Sequence, residues 1–183
     1  MIKNSDEKIL LLSCCAPCAC AVIKRMSEEG FDFAVVFYNP NIHPYEEYIK
    51  RRDEQKMLCY KWGIEFIELE YNVKDWIEAT KEYKDEPERG KRCSICFEFR
   101  LKKVMEYAKE LGVNKVASVL GVSRWKDLNQ VNEAGKKASD DSGVEYVLIE
   151  GRKGGMQELR LQLIKELELY NQEYCGCIYS MRK

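Results

Sequence analysis

The chain has 183 residues, 45% of them hydrophobic, and its 30 basic side chains nearly balance its 31 acidic ones, for a formal net charge of −1. This length suits a single domain with its own core, and the near-neutral charge excludes a uniformly basic surface for nucleic acid, so any RNA partner must bind local patches. No stretch approaches the ~18 apolar residues that span a bilayer, and the amino terminus lacks the pattern of a secretion signal, so we expect a cytoplasmic protein without a membrane partner.

Short apolar segments alternate with amphipathic ones along the chain. Strands are predicted at residues 9–12, 33–38, 64–69, 115–120 and 144–149, and helices near residues 19–29, 46–62, 97–111, 126–138 and 156–170. Glycines stand between several of these helices and the following strands, as expected at helix ends. This alternation predicts an α/β fold with a mainly parallel five-stranded sheet and helices on both faces.

One domain is expected to span residues 1–183. Residues 71–92 are more charged than their surroundings and include Pro87 and Gly90, so we interpret them as a partly helical insertion that leads to Cys93. Residues 171–183 follow the last predicted helix and form a cysteine-containing tail.

Unusual residues gather in the loops that follow the predicted strands. These loops contain residues 14–18 after the first strand, 39–44 after the second and 121–126 after the fourth. In open α/β sheets, ligands bind beyond the carboxyl ends of the strands. The sequence therefore predicts a functional site formed by these loops.

Nine cysteines are the main anomaly of the composition. In a reducing cytosol such a number favours metal binding or thiol chemistry over a disulfide framework. Cys14 and Cys15 open a predicted helix with Pro17 in its first turn, and Cys93 and Cys96 form a C-x-x-C unit at another helix start. Helix amino termini favour thiolates, and four thiolates ligate either a 4Fe–4S cluster or a structural zinc.

A third cysteine unit, Cys175-Gly176-Cys177, lies near the carboxyl terminus. The glycine allows a small, strained disulfide ring, which would be readily reduced and suited to redox chemistry. A second thiolate metal site that uses Cys18 is the rival interpretation. Cys20 and Cys59 lie in apolar surroundings, where a free cysteine commonly packs as a small hydrophobic residue.

Charged and aromatic residues near these loops are weaker candidates. His43 is the only histidine, and its loop position is compatible with proton donation, although a hydrogen-bonding role is more common for such a residue. Residues 89–92 and 50–52 contain basic clusters that are candidate RNA contacts, whereas most such runs are simply solvated.

Four segments together carry a family resemblance. They are LSCCAPC at 12–18, FYNPNIHP at 37–44, EPERGKRCSIC at 86–96 with Arg100 and Leu101, and YNQEYCGCIYS at 170–180. With these segments the sequence resembles the cobalamin-independent, QueH-type epoxyqueuosine reductases over nearly its whole length. The loop at 117–126 departs from the family pattern, although Ser123 and Lys126 match it.

The resemblance implies a Rossmann-like domain of the adenine-nucleotide-hydrolase type and an oxidoreductase of queuosine biosynthesis. Its substrate would be tRNA that carries epoxyqueuosine, whose epoxide is reduced to an alkene. The implied ligands of a 4Fe–4S cluster are Cys14, Cys15, Cys93 and Cys96, and the implied redox pair is Cys175 and Cys177. We expect Cys18 and His43 to complete the catalytic set, with an additional mononuclear iron as the alternative second electron carrier and an unidentified electron donor as partner.

Other functional classes remain as alternatives at this point. A zinc-stabilised RNA-binding module would use the same thiolates without redox activity, and a thiol–disulfide oxidoreductase would need no metal. An ATP-dependent tRNA-modifying ligase or thiolase is disfavoured because residues 151–155 and the first loop lack the spacing of a phosphate-binding loop.

Overall fold

The protein is built on a parallel β-sheet, described over residues 7–181 in a computed structural model. The strands are β1 (Ile9–Ser13), β2 (Phe33–Phe37), β3 (Glu65–Glu68), β4 (Lys115–Ser118) and β5 (Glu145–Val147). Their order across the sheet is β3-β2-β1-β4-β5, and every neighbouring pair is parallel. The predicted α/β fold with a five-stranded sheet is confirmed; the ends of the predicted single domain, residues 1–6 and 182–183, lie outside the described residues.

Helices cover both faces of this sheet. They are α1 (Ala16–Glu28), α2 (Tyr45–Lys61), α3 (Val73–Thr80), α4 (Lys91–Glu110), α5 (Leu128–Ser142) and α6 (Met156–Glu166), with short 3₁₀ turns at Lys81–Tyr83, Leu120–Val122 and Ile178–Ser180. Helix α1 packs against α2 and α6, whereas α4 packs against α3 and α5. Right-handed crossovers run one way across the sheet from β1 to β3, through α1 and α2, and the other way from β3 to β5, through α3, α4 and α5, so these two groups lie on opposite faces. Helix α6 follows β5 and packs on α1. Among residues 7–181, none of the helices combines the length and apolarity needed to cross a bilayer.

Burial explains which strands are long. The central strands β1 and β2 are buried at every position, because helices cover both of their faces and their sequences are almost entirely apolar. The edge strands β3 and β5 are partly exposed and shorter than the predicted segments. An edge strand pairs with one neighbour only, so its ends lose hydrogen-bonded partners first.

Two helices begin earlier than their amphipathic pattern indicates. Helix α1 starts at Ala16, with Pro17 in its first turn, where a missing backbone N–H costs nothing. Helix α4 starts at Lys91, so Cys93 and Cys96 lie within its first two turns. Both cysteine groups are therefore presented by helix amino termini.

The sheet has a topological switch point between β1 and β4. From β1 the chain proceeds through β2 to β3 on one side, and from β4 to β5 on the other. The loops that follow β1 and β4 consequently diverge to opposite faces and leave a crevice at the carboxyl ends of the strands. The first of these loops contains Cys14 and Cys15, and the second ends near Lys126.

Candidate active site and metal centre

Three buried thiols form a compact group where β1 passes into α1. The Sγ atoms of Cys14, Cys15 and Cys18 all lie within 4.8 Å of one another, an arrangement that can hold a metal ion. A regular strand would direct adjacent side chains to opposite faces, but the chain leaves β1 at Ser13 and turns into the helix at Ala16. The Sγ atoms of Cys14 and Cys15 are consequently only 3.7 Å apart.

Protonation is unequal within this thiol triad. Hydrogen bonds from the thiols of Cys15 and Cys18 lower the pKa of Cys14 well below its usual value, with the nearby charge of Lys126 acting in the same direction against the effect of burial. The bond to Cys14 raises the pKa of Cys18 to about 12, and burial raises that of Cys15 well above its usual value. Cys14 is therefore the thiol of the triad that ionises most readily, and metal binding at the other two thiols would release protons.

The carboxy-terminal tail closes the triad through Gln172. Its Nε2 atom donates to Sγ of Cys15 over 2.7 Å and lies 3.8 Å from Sγ of Cys18. Its Oε1 atom is buried and has no hydrogen-bond partner among the described residues. The tail thus contacts the buried thiols directly.

Two buried cations lie beside the triad. Lys126 is 5% exposed and its Nζ atom lies 3.6 Å from Sγ of Cys14, while Arg100 is fully buried and donates to the carbonyl oxygen of Tyr38. Across residues 7–181, neither cation forms a salt bridge with a carboxylate. A buried charge without a carboxylate partner is unfavourable. For Lys126 the nearby group that can carry a compensating negative charge is the sulfur of Cys14, whereas Arg100 donates to neutral oxygens of Tyr38 and Asn39.

A pocket next to these cations is lined by the other cysteines that were predicted to be functional. Its lining includes Cys93, Cys96, Cys175 and Cys177, together with Arg100, Lys126, Trp76, Trp125 and Gln130. Hydrogen-bond donors point at two of the sulfurs: the backbone N–H of Arg89 at Cys93 and the indole Nε1–H of Trp76 at Cys96, each over 3.3 Å. Such bonds favour thiolate or metal-bound sulfur.

The predicted cluster ligands therefore fall in two adjoining groups. Cys14 and Cys15 lie most closely with Cys18, whereas Cys93 and Cys96 line the pocket with the cysteines of the tail. Lys126 connects the groups, because it contacts Cys14 and also lines the pocket. All seven cysteines singled out as functional thus lie at the carboxyl end of the sheet.

His43 lies beside the pocket, in the loop that holds the tail. Its ring centroid is 5.7 Å from that of Trp76, and its backbone N–H donates to the carbonyl oxygen of Gly176 over 2.7 Å. Nδ1 lies 2.9 Å from the carbonyl oxygen of Asn41, which can only accept, so Nδ1 carries the proton. Nε2 is buried and has no partner among the described residues.

The remaining two cysteines pack in the core. Cys20 and Cys59 are fully buried, and burial raises the pKa of each to about 11. Cys59 accepts a hydrogen bond from Gln55, and Cys20 contacts the carbonyl oxygen of Pro17. Both therefore remain neutral, in agreement with the packing role expected for them.

Two of the arginines considered as RNA contacts are not on the surface. Arg92 is 3% exposed and its Nη1 atom donates to the carbonyl oxygens of Tyr83 and Lys84, while Arg51 is 1% exposed and contacts the tail. Both guanidinium groups instead hold chain segments together. Arg89 and Lys91 are exposed, so these two basic side chains remain candidate RNA contacts.

Sequence reasoning did not assign a role beside the sulfurs to three residues: Arg100 and Gln172 entered only through the family resemblance, and Arg51 only as a candidate RNA contact. Arg51, Arg100 and Gln172 each reach a cysteine-bearing segment that is distant in sequence. The local sequence offers one indication of such a role, namely a basic residue within the apolar stripe of a helix. Arg100, next to Leu101, matches this pattern.

Comparisons with known proteins agree on one family. The family model described as epoxyqueuosine reductase QueH matches residues 9–183. A protein of that name from Histophilus somni is 44% identical over 182 residues, covering 99% of this chain and 75% of the relative. The relative from Haemophilus influenzae is 42% identical, covering 99% and 74%, and that from Thermotoga maritima is 34% identical, covering 94% and 90%.

A solved structure supports the fold independently. A predicted subunit of a tRNA methyltransferase from Methanocaldococcus jannaschii matches with a TM-score of 0.63, over 96% of this chain and 98% of that one. The two sequences are 9% identical, so this likeness shows the shared fold alone.

Proposed function

Because the chain belongs to the epoxyqueuosine reductase QueH family, we propose that it reduces the epoxide of epoxyqueuosine in tRNA to the alkene of queuosine. The reaction consumes two electrons and two protons, and the epoxide oxygen leaves as water. The protein therefore has to deliver electrons, supply protons and accommodate a nucleotide of the tRNA at one site.

The observation that carries the cofactor proposal is the pair of buried cations beside the thiols. Arg100 and Lys126 lack carboxylate partners among the described residues and are next to Cys14 and the pocket cysteines. An anionic iron–sulfur centre held by thiolates would balance both charges, whereas neutral thiols would not. The donor set therefore fits a 4Fe–4S cluster held by Cys14, Cys15, Cys93 and Cys96, which supplies low-potential electrons when bound.

The tail cysteines are proposed as the second part of the electron supply. Oxidation of the Cys175 and Cys177 thiols to a disulfide releases two electrons and two protons, which balances the reduction of one epoxide. An external electron donor would then restore the dithiol. The alternative is an additional mononuclear iron that uses Cys18, the third thiol of the buried triad.

His43 is proposed as the source of a proton for the leaving oxygen. Its Nδ1–H is committed to the carbonyl oxygen of Asn41, so a proton has to come from Nε2. That atom carries a proton only in the imidazolium form. His43 can therefore act as an acid once protonated, and as an acceptor afterwards.

The test is an anaerobic assay with tRNA that carries epoxyqueuosine. Protein reconstituted with iron and sulfide is incubated with the tRNA and dithionite, and the nucleosides are separated by mass spectrometry after nuclease digestion. We expect conversion to queuosine in wild type and in Cys20→Ser, but not in Cys93→Ser. A cluster-loaded wild type that leaves epoxyqueuosine unchanged would disprove the proposal; stoichiometric zinc without sulfide would favour the RNA-binding module instead.

A further inference from the structure

One buried side chain of α2 connects the helix to the cysteine-containing tail. The guanidinium of Arg51 is held by Glu47, one helical turn earlier, at 2.6 Å. Its remaining N–H groups donate to the tail, Nη1 to the carbonyl oxygen of Cys175 over 3.0 Å and Nη2 to that of Tyr174 over 3.3 Å. Glu47 thus fixes one edge of the planar group, and the other edge holds the backbone next to the proposed redox pair.

The tail approaches Arg51 so closely that only glycine fits between its cysteines. Gly176 has a φ of +109°, a conformation that side chains rarely adopt. A Cβ atom there would lie 2.8 Å from Nη1 of Arg51 and 3.1 Å from Cγ1 of Ile42. Gly176 is therefore enclosed by the arginine and the loop at 39–44.

That loop holds the opposite edge of the tail. The backbone N–H of His43 donates to Gly176, and Ile42 forms an isolated antiparallel bridge with Cys177. The side-chain hydroxyl of Tyr174 also donates to the carbonyl oxygen of His43. The tail is therefore fixed between Arg51 and the loop, with both cysteines at the pocket.

We propose that Arg51 is a positioning residue that holds Cys175 and Cys177 at the pocket, so that the tail dithiol and the other thiols act on one substrate. The proposal rests on the function proposed above. It assigns to Arg51 the placement of the dithiol and no contact with the substrate, since the side chain is buried.

The test compares Arg51→Lys with Arg52→Lys. Lysine keeps the charge at position 51 but cannot hold Glu47 and two carbonyl groups at once. Arg52 is the matched control, because it is the next residue on the same helix and pairs with Asp53 and Glu68 instead of the tail.

The first measurement is the rate at which iodoacetamide alkylates individual cysteines in the anaerobic, reconstituted protein. Release of the tail should raise the rate at Cys177, which is now 8% exposed, by about tenfold or more in Arg51→Lys, with no change in Arg52→Lys. Cys59 is the internal reporter of global unfolding and should stay protected in both variants. An unchanged rate at Cys177 in a folded Arg51→Lys variant would overturn the proposal.

The second measurement separates positioning from general damage. In Arg51→Lys the single-turnover rate on epoxyqueuosine tRNA should fall about tenfold or more, while KM for the tRNA stays within about twofold, because Arg51 is remote from the surface. If the single-turnover rate and KM changed by the same factor, or if neither changed, a positioning role for Arg51 would be contradicted. If wild type does not reduce the substrate, the proposed function fails, and the alkylation rates still decide whether Arg51 holds the tail.

A second variant covers the case in which Arg51→Lys does not fold, as alkylation of Cys59 would report. Gly176→Ala keeps both Arg51 and Glu47 but separates the guanidinium from the tail, because its Cβ would be only 2.8 Å from Nη1 of Arg51 at a backbone conformation with positive φ. Faster alkylation of Cys177 with Cys59 protected would then support the proposal. Full protection of Cys177 in this variant would overturn it.

Discussion

The Nζ atom of Lys126 lies 3.6 Å from Sγ of Cys14, although 112 positions separate the two residues. Cys14 follows β1 and Lys126 precedes α5, so the contact bridges the two loops that diverge at the switch point of the sheet. The two side chains are buried, and each lowers the cost of burying the other's charge. The pair lies between the buried triad and the pocket, and the sulfur of Cys14 balances the positive charge of Lys126.

Removing the Lys126 charge should make the bound cluster harder to reduce. Lys126→Gln removes a positive charge beside the cluster. Because the cluster becomes more negative when it is reduced, loss of this charge should lower its reduction potential by on the order of 100 mV. The measurement is an anaerobic spectroelectrochemical titration. Lys137→Gln is the control, since Lys137 is exposed and pairs with Glu98; equal potentials in both variants would refute the electrostatic role of Lys126.

Loss of the indole N–H of Trp76 should also lower the reduction potential of the cluster, but by less than loss of the Lys126 charge. Trp76→Phe keeps an aromatic ring in the buried position but removes the donor to Sγ of Cys96. Hydrogen bonds to ligand sulfur stabilise the reduced state, so the potential should fall by on the order of tens of millivolts. The same titration measures it, and a potential that rises or stays constant would argue against Cys96 as a ligand.

Replacing Cys175 should abolish repeated turnover if the tail dithiol carries electrons. Cys175→Ser cannot form the disulfide, so multiple-turnover production of queuosine should fall by about 100-fold or more, with tRNA affinity retained. Cys59→Ser is the matched control, because Cys59 is buried away from the pocket. Full multiple-turnover activity in Cys175→Ser would show that the dithiol role is wrong and would favour the additional iron.

The thiol of Cys59 should make stability depend on pH in the alkaline range. Burial raises its pKa from 9.0 to about 11, so between these values the unfolded chain has lost the proton that the folded chain keeps. The free energy of unfolding should therefore decrease as pH rises from 9 to 11. Cys59→Val removes this contribution, which is about 1 to 3 kcal/mol over that interval.

Urea unfolding of the two proteins at several pH values checks this prediction. The variant also loses the bond from Gln55, but that change is constant with pH and shifts the whole curve. Wild type should lose stability faster than the variant above pH 9. If the free energy of unfolding depended on pH in the same way in both proteins, the pKa of Cys59 would not be higher in the folded state than in the unfolded chain.

Much of the fold follows from local patterns in the sequence. The buried strands β1 and β2 are continuous apolar segments, and the glycine at the end of α5 adopts the left-handed conformation expected there, with Gly143 at φ +76°. Helix α4 begins before its amphipathic stripe, because its first turn presents cysteines to the site rather than apolar side chains to the core. Local hydrophobicity does not contain that information.

The thiol-bearing residues could be predicted, but their surroundings could not. Cys14, Cys15 and Cys18 are close in sequence at a helix start, so their proximity in space is local. The contact of Arg51 with Cys175 spans 124 positions and depends on how the tail packs against α2. In sequence Arg51 stands in a basic run that resembles a solvated surface patch, and only the tertiary structure shows that it is buried.

The most direct test of the account is the metal content of the anaerobically purified protein. Iron, acid-labile sulfide and zinc would be measured with the visible spectrum in wild type, in Cys93→Ser and in the control Cys20→Ser. The account predicts about four iron and four sulfide per chain in wild type and in Cys20→Ser, and loss of both in Cys93→Ser. Stoichiometric zinc without sulfide, also after anaerobic reconstitution, would contradict an iron–sulfur reductase.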